Sequence, residues 1–308
     1  QGEEIMVQRD IGRDTQLTIR MYITILLLGL VYAAFLFVLL SIGASVGMML
    51  IFAIVLVGIQ FYFSDKMILA SMHAKIVSES DEPKLHRMVS NLSEIAGIRK
   101  PRVAVSQMDV PNAFAAGRSA NKTTVAVTTG LLSILSDREL EAVLAHEITH
   151  VKNKDVAVMT IASFFSVVAS TLMSFFFWMS LFGGMGRSRS GGAGNYIMIA
   201  YFATIIVWLI SLILVSALSR YREYSADRGA AIITGNPNDL ATALTRISGT
   251  VQRIPKDDLR RAEKANAFFI IPAVGDGIAN LFASHPPVLK RIEKLQQIQQ
   301  SMMGGWPS

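Results

Sequence analysis

Ser136-Asp137-Arg138-Glu139-Leu140-Glu141-Ala142-Val143-Leu144-Ala145-His146-Glu147-Ile148-Thr149-His150-Val151-Lys152-Asn153-Lys154-Asp155 is the stretch on which the reading of this chain turns. Ser136 with Glu139 three residues later is a capping box, and Leu140, Val143 and Leu144 follow at helical spacing. The spacing predicts a helix that continues into the apolar run after Asp155. His146 and His150 stand one turn apart, about 40° from each other on one face and about 6 Å along the axis. Two imidazoles so placed can bind one zinc ion at about 2.0–2.1 Å. Glu147 follows the first ligand, so its carboxylate can lie beside the metal without ligating it. There it can take a proton from a zinc-bound water and pass it to a leaving amine, which is the H-E-x-x-H logic of metalloproteases. The bland alternative is two histidines on a solvated helix surface.

Catalytic zinc takes three protein ligands plus water. The chain has no cysteine, so the third ligand must be histidine or carboxylate. Glu223 is the best placed, in Ser219-Arg220-Tyr221-Arg222-Glu223-Tyr224-Ser225-Ala226-Asp227. Asp227 is one turn further on and can accept a hydrogen bond from a ligand imidazole; with Arg222 it stands behind the ligands. Ala226 and Ala230 leave room for a closely packed helix. The competing view is a solvated acidic pair among Arg220, Arg222 and Arg228. Asp155 is a weaker candidate ligand, because on a continuous helix it lies about 140° round from His150. Of the other histidines, His73 and His86 sit in charged, surface-like surroundings. His285, in Ser284-His285-Pro286-Pro287, is held in a rigid turn, either as a structural loop histidine or as a transition-state stabiliser near the metal.

Outward from this motif the chain is unusually apolar. Of 308 residues 52% are hydrophobic and only 17% charged, against about 25% charged in soluble domains. No Asp, Glu, Lys or Arg occurs between Arg20 and Asp65, between Asp155 and Arg187, or between Arg189 and Arg220. A membrane helix needs about 20 apolar residues, so four spans are expected, near 21–41, 47–64, 156–183 and 194–218. The first run is too long, and too closely followed by a second, for a cleavable signal peptide. Segments 1–20, 65–155 and 219–308 hold 27 of the 29 basic residues, which assigns them to the cytoplasm. The net charge of +6 is then a mark of orientation, not of nucleic-acid binding, since no basic helix or aromatic-interleaved patch occurs.

The expected organisation is an N-terminal segment and membrane hairpin (1–64), the first half of a soluble domain (65–155), a second hairpin (156–218) and the second half of that domain (219–308). Within the halves, Pro83 to Ala96 reads as a helix, and Arg102–Ser106 and Thr123–Thr128 as short strands. Pro111-Asn112-Ala113-Phe114-Ala115-Ala116-Gly117 reads as a turn entering a third strand. Loops are expected at Gly235-Asn236-Pro237 and around 272–284. Two rivals to a membrane-anchored protease remain. An intramembrane-cleaving protease would carry its histidines inside an apolar span, whereas here Asp137, Arg138, Glu139 and Glu141 precede them and Lys152, Lys154 and Asp155 follow. A scaffold, chaperone or transporter would not need the catalytic glutamate, and a transporter would place polar groups in its spans.

Taken together, these residues resemble the HtpX-type membrane zinc metalloproteases, relatives of the CAAX prenyl proteases. The matching residues are His146-Glu147-Ile148-Thr149-His150 with Asp155, Arg222-Glu223-Tyr224-Ser225-Ala226-Asp227, Asn112-Ala113-Phe114-Ala115-Ala116-Gly117 and Ser284-His285-Pro286-Pro287, between two pairs of spans. The resemblance implies a mainly α membrane protein with a small β-sheet, a zincin-like HExxH protease domain joined to four transmembrane helices. It implies one zinc ion on His146, His150 and Glu223, with Glu147 as general base and His285 stabilising the oxyanion. It implies that Asn112, Ala113 and Phe114 form an edge that binds polypeptide substrates by strand addition. It also implies quality control of damaged membrane proteins in the lipid bilayer of a bacterial plasma (inner) membrane, with the active site facing the cytoplasm.

Overall fold

The computed structural model describes residues 15–41, 47–117, 122–182, 193–253 and 285–303. They form nine helices and four strands: α1 (Thr15–Ser41), α2 (Gly47–Ser71), β1 (Ala74–Ile76), α3 (Pro83–Ala96), β2 (Arg102–Ser106), β3 (Ala113–Ala116), β4 (Thr124–Thr128), α4 (Thr129–Ile134), α5 (Asp137–Lys152), α6 (Asp155–Phe182), α7 (Ala193–Thr234), α8 (Pro237–Val251) and α9 (Val288–Met303). The expected loop around 272–284 lies outside the described residues. The chain divides into two compact units. One holds Phe63–Ala157 and Ser219–Ser308 with the N-terminal stretch to Leu17; the other holds Thr18–Tyr62 and Val158–Leu218.

The second unit is built from the long apolar helices. Among the described residues three stretches are long and apolar enough to cross a membrane: Thr15–Phe37, Ala157–Trp178 and Met198–Thr234. Helix α2 occupies the place of the second expected span. Large apolar side chains such as Leu26, Phe37, Trp178 and Ile206 point outward, as they must where the surroundings are hydrocarbon and not water. Leu28, Tyr32, Phe35, Ala169 and Leu172 form a smaller internal cluster. Within it the Tyr32 hydroxyl donates to the Phe165 carbonyl and accepts from Ser211 Oγ at 2.9 Å.

The first unit is a sheet packed between helices. Strand order is β1-β2-β4-β3, with β2 and β4 parallel and the outer pairs antiparallel. Period-two alternation divides the side chains. Val103, Val105, Val125 and Val127 face a core shared with α3, α5, α8 and α9. Ala104, Phe114, Ala116 and Ala126 face a second cluster around Met72. The expected third strand is β3, which starts within the 111–117 stretch and is entered through Pro111-Asn112; among the described residues β3 pairs only with β4. At the start of α5 the Ser136 backbone N–H donates to Glu139 Oε2 at 2.8 Å, the expected capping box. At Gly235 a positive φ of 75° ends α7, and the Asn236 side chain caps α8.

The helix starting at Asp137 does not run on into the apolar stretch. It ends at Lys152, Asn153-Lys154 form a turn with Lys154 at φ 57°, and Asp155 opens α6. Lys154 adopts the left-handed conformation that stops an α-helix and re-aims the chain.

Candidate metal centre

Helix α5 carries His146, Glu147 and His150; the C-terminal half of α7 carries Arg222, Glu223 and Asp227. The two run antiparallel where they touch. Thr149 meets Gly229, and Asn153 Nδ2 donates to Ser225 Oγ at 3.2 Å one turn away. A Cβ at Gly229 would stand 2.3 Å from Thr149 Cγ2, so only glycine permits this approach. Ala226 and Ala230 on the same stretch are fully buried. Small residues on α7 thus bring a carboxylate within reach of the two histidines.

His146 Nε2 and His150 Nε2 lie 3.1 Å apart. Glu223 Oε1 is 3.4 Å from His150 Nε2, and Glu223 Oε2 is 3.6 Å from His146 Nε2. A tetrahedron with metal–ligand distances of about 2.0–2.1 Å has ligand–ligand edges of about 3.3 Å, so these three donors already stand at the spacing of a zinc site. Their ligand atoms all fall within 4.8 Å of one another. Glu223 Oε2 is buried and makes no hydrogen bond of good geometry, which leaves a lone pair free to ligate a metal ion.

Behind each imidazole stands a second carboxylate. Asp227 Oδ1 lies 3.0 Å from His146 Nδ1, and Asp155 Oδ2 lies 2.5 Å from His150 Nδ1. Each carboxylate meets an arginine. Arg291 holds Asp227 in a fork, Nε to Oδ2 at 2.9 Å and Nη2 to Oδ1 at 2.6 Å. Arg222 Nε stands 3.2 Å from Asp155 Oδ1. Acid and imidazole so paired fix the ring and aim its other nitrogen at the centre.

Charge accounting points to the same chemistry. Glu147, Asp155, Glu223 and Asp227 are all buried, and Arg222 and Arg291 face this cluster. Carboxylates buried this close together favour a cation among them or protons on the imidazoles. Burial disfavours a charged His150, but Asp155 and Glu223 outweigh it and push the ring up to about 10. His146 is raised likewise, burial being outweighed by Asp227 and Glu223. Asp155 is held below its usual range, because Arg222 and His150 overcome the opposing effect of burial. The donor set of His146, His150 and Glu223 therefore fits a metal ion of zinc's kind.

The structure also brings in His285, whose Nδ1 is 3.1 Å from Glu223 Oε2. Asn112 stands at the entrance of β3, which packs against α5: its N–H donates to Thr128 Oγ1 and its carbonyl accepts from Thr128 N–H, both at 2.9 Å. The side chains of Asn112, Ala113 and Phe114 are buried, so what β3 can offer a ligand is its backbone. Two residues of the centre are not legible from sequence pattern. A helical wheel sets Asp155 aside, but the Asn153-Lys154 turn interrupts that wheel; the available signal is Asn followed by Asp, a helix stop and a helix start. Arg291 belongs to no motif, and only the unbalanced carboxylates call for it.

Residues 79–299 match the model of peptidase family M48. A protease HtpX homolog of Moorella thermoacetica is 50% identical over 96% of this chain and 99% of its own. HtpX homolog 2 of Methanosarcina mazei is 50% identical over 96% of this chain and 100% of its own. A Streptomyces coelicolor HtpX homolog is 42% identical over 94% and 95%. The crystal structure of S. mikatae Ste24p superposes with a TM-score of 0.56 at 18% identity, covering 91% of this chain and 66% of that one; at that identity the likeness speaks for the fold alone.

Proposed function

The chain belongs to peptidase family M48, and on that premise we propose that it is a zinc-dependent membrane endopeptidase that hydrolyses polypeptides on the cytoplasmic side in the quality control of damaged membrane proteins. The observation that carries the zinc reading is the convergence of His146, His150 and Glu223 with a carboxylate behind each imidazole. When bound, zinc supplies Lewis acidity and a water whose pKa is lowered to about 7.

The chain's own residues do the rest. Glu147, beside His146 on α5, takes the proton of the attacking water and hands it to the departing amine. His285, the nearest polar side chain of the α9 segment to Glu223, donates to the oxygen of the tetrahedral intermediate. The backbone of β3, with Asn112 at its entrance, pairs with an extended substrate. Asp227, Asp155 and Arg222 hold the ligand rings in place. Orientation rests on the basic residues, 27 of 29 of which lie in the three segments on one side of four spans, with α2 counted as the second span.

The test is cleavage of an unfolded membrane substrate in proteoliposomes with zinc content measured in parallel. Wild type should hold one zinc per chain and cleave, and Glu147→Gln should keep the zinc and lose at least about a hundredfold in kcat. A Glu147→Gln protein that cleaves at the wild-type rate defeats the mechanism and leaves a scaffold or chaperone.

A further inference from the structure

We propose that Arg291 is the positioning residue that seats His285 at the metal centre, an inference that rests on the zinc-protease reading above. Arg291 is an arginine with no exposed surface, the largest fully buried side chain among the described residues. It makes a two-point fork on Asp227, and its Nη1 lies 3.5 Å from Glu223 Oε2. His285 Nδ1 approaches that same oxygen at 3.1 Å. One short segment therefore presents two side chains to two carboxylates that are one turn apart on α7.

The piece between them is stiff. Pro286 and Pro287 fix two backbone φ angles, and the Arg291 N–H donates to the Pro287 carbonyl in the first turn of α9. Arg291 and His285 are therefore joined by a short, restricted link, so that holding one limits where the other can lie. Leu295, one turn further along α9, anchors the helix in the apolar core, but an apolar contact of that kind sets depth without setting direction. The guanidinium fork on Asp227 sets direction, because only two parallel N–H donors satisfy both oxygens at once. A lysine at 291 would keep the charge and lose that geometry.

The test compares Arg291→Lys, Arg291→Ala, His285→Ala, the double variant His285→Ala/Arg291→Ala, and Leu295→Ala. For Arg291→Ala at saturating zinc we expect a kcat loss of about a hundredfold, the cost of a catalytic group misplaced by about 1 Å, with KM and zinc stoichiometry near wild type and the loosened Asp227 showing only as a lower zinc affinity. Millimolar guanidinium chloride should restore part of it, and should not restore Leu295→Ala. The decisive comparison is the double variant, which should be no slower than His285→Ala, since a residue that acts by placing His285 has nothing to place once it is gone. Multiplying losses, or loss of zinc in proportion to kcat, would overturn the proposal. Should Arg291→Ala fail to fold, Arg291→Lys carries the same test, and a Lys variant with wild-type kcat also overturns it. Amide exchange across residues 285–291 reads the seating without activity: it should rise in the Arg291 variants while α5 stays protected. Absence of zinc-dependent cleavage in wild type would instead sink the protease reading, and the exchange result would still decide whether Arg291 holds the segment.

Discussion

The two histidines of the candidate metal centre have matched surroundings that are built in opposite ways. His150 takes its carboxylate from Asp155, five residues on across a two-residue turn, and Arg222 braces that carboxylate from α7. His146 takes its carboxylate from Asp227, on a helix reached after a long excursion of chain, and the brace, Arg291, comes from α9. The first arrangement is local and only its brace is distant. The second exists only when α5, α7 and α9 are all packed. One ligand is therefore preset by local folding and the other reports on the tertiary structure, so damage to packing should strike the His146 side first.

Measured by zinc lost, the harshest way to break the comparison is at Gly229. Valine there must push Thr149 away, and Thr149 cannot yield cheaply, being fully buried with its hydroxyl donating to the Ala145 carbonyl at 2.8 Å. We expect Gly229→Val to destabilise by about 3 kcal/mol, at the upper end of overpacking, and to abolish stoichiometric zinc because Glu223 and Asp227 move together. Calorimetry and metal analysis check both; a variant that keeps one zinc per chain would show that α5 and α7 are not held at this contact.

Next come the paired carboxylates. Asp155→Asn and Asp227→Asn should each weaken zinc binding by about 10–100-fold, read by competition with a chelator. Asp227→Asn should in addition lower stability by about 3 kcal/mol, because it leaves the buried charge of Arg291 with Glu223 as its remaining close carboxylate. Asp155→Asn leaves the more accessible Arg222 and should cost less than half as much. Equal stability losses would erase the distinction between local and distant braces.

How legible the molecule is in its sequence follows the same division. His146, Glu147 and His150 declare themselves because helical periodicity places i and i+4 together whatever else the chain does. The long helices are readable because a soluble core seldom buries 20 or more residues in a row without a single charge. Asp155 is misjudged on a wheel because a wheel assumes a helix that continues, and a single left-handed residue, Lys154, voids the assumption. Strand β1 does not stand out because three residues, Ala74–Ile76, are too few to show alternation. Arg291 is invisible because a lone buried cation is recognisable only from the carboxylates around it, and those assemble through three separate elements.

A milder disturbance is Arg222→Met. It removes the brace and keeps Asp155 within reach of His150, so we expect about 1–2 kcal/mol of destabilisation and a loss of zinc affinity below about tenfold, measured by the same two methods. A loss as deep as that of Asp155→Asn would mean that the brace, not the carboxylate, orients the ring.

The smallest effect concerns protons. In the metal-free protein His150 is raised to about 10, the buried ring being held charged by Asp155 and Glu223. A raised pKa means that the proton stabilises the folded metal-free state below the ordinary value near 6.5, and that this contribution fades as pH climbs through about 10. Zinc binds the neutral ring, so uptake at pH 7 must expel that proton, and apparent affinity should rise about tenfold per pH unit for each proton expelled. His146, raised through Asp227 and Glu223, adds to the count in the same sense. Calorimetric titrations in buffers of different ionisation heat give the number directly. Asp155→Asn should remove close to one proton from it by returning His150 toward its ordinary range. An unchanged count in that variant would place the expelled proton on the His146 side, and would make the distant arrangement, not the local one, the site where metal and proton compete.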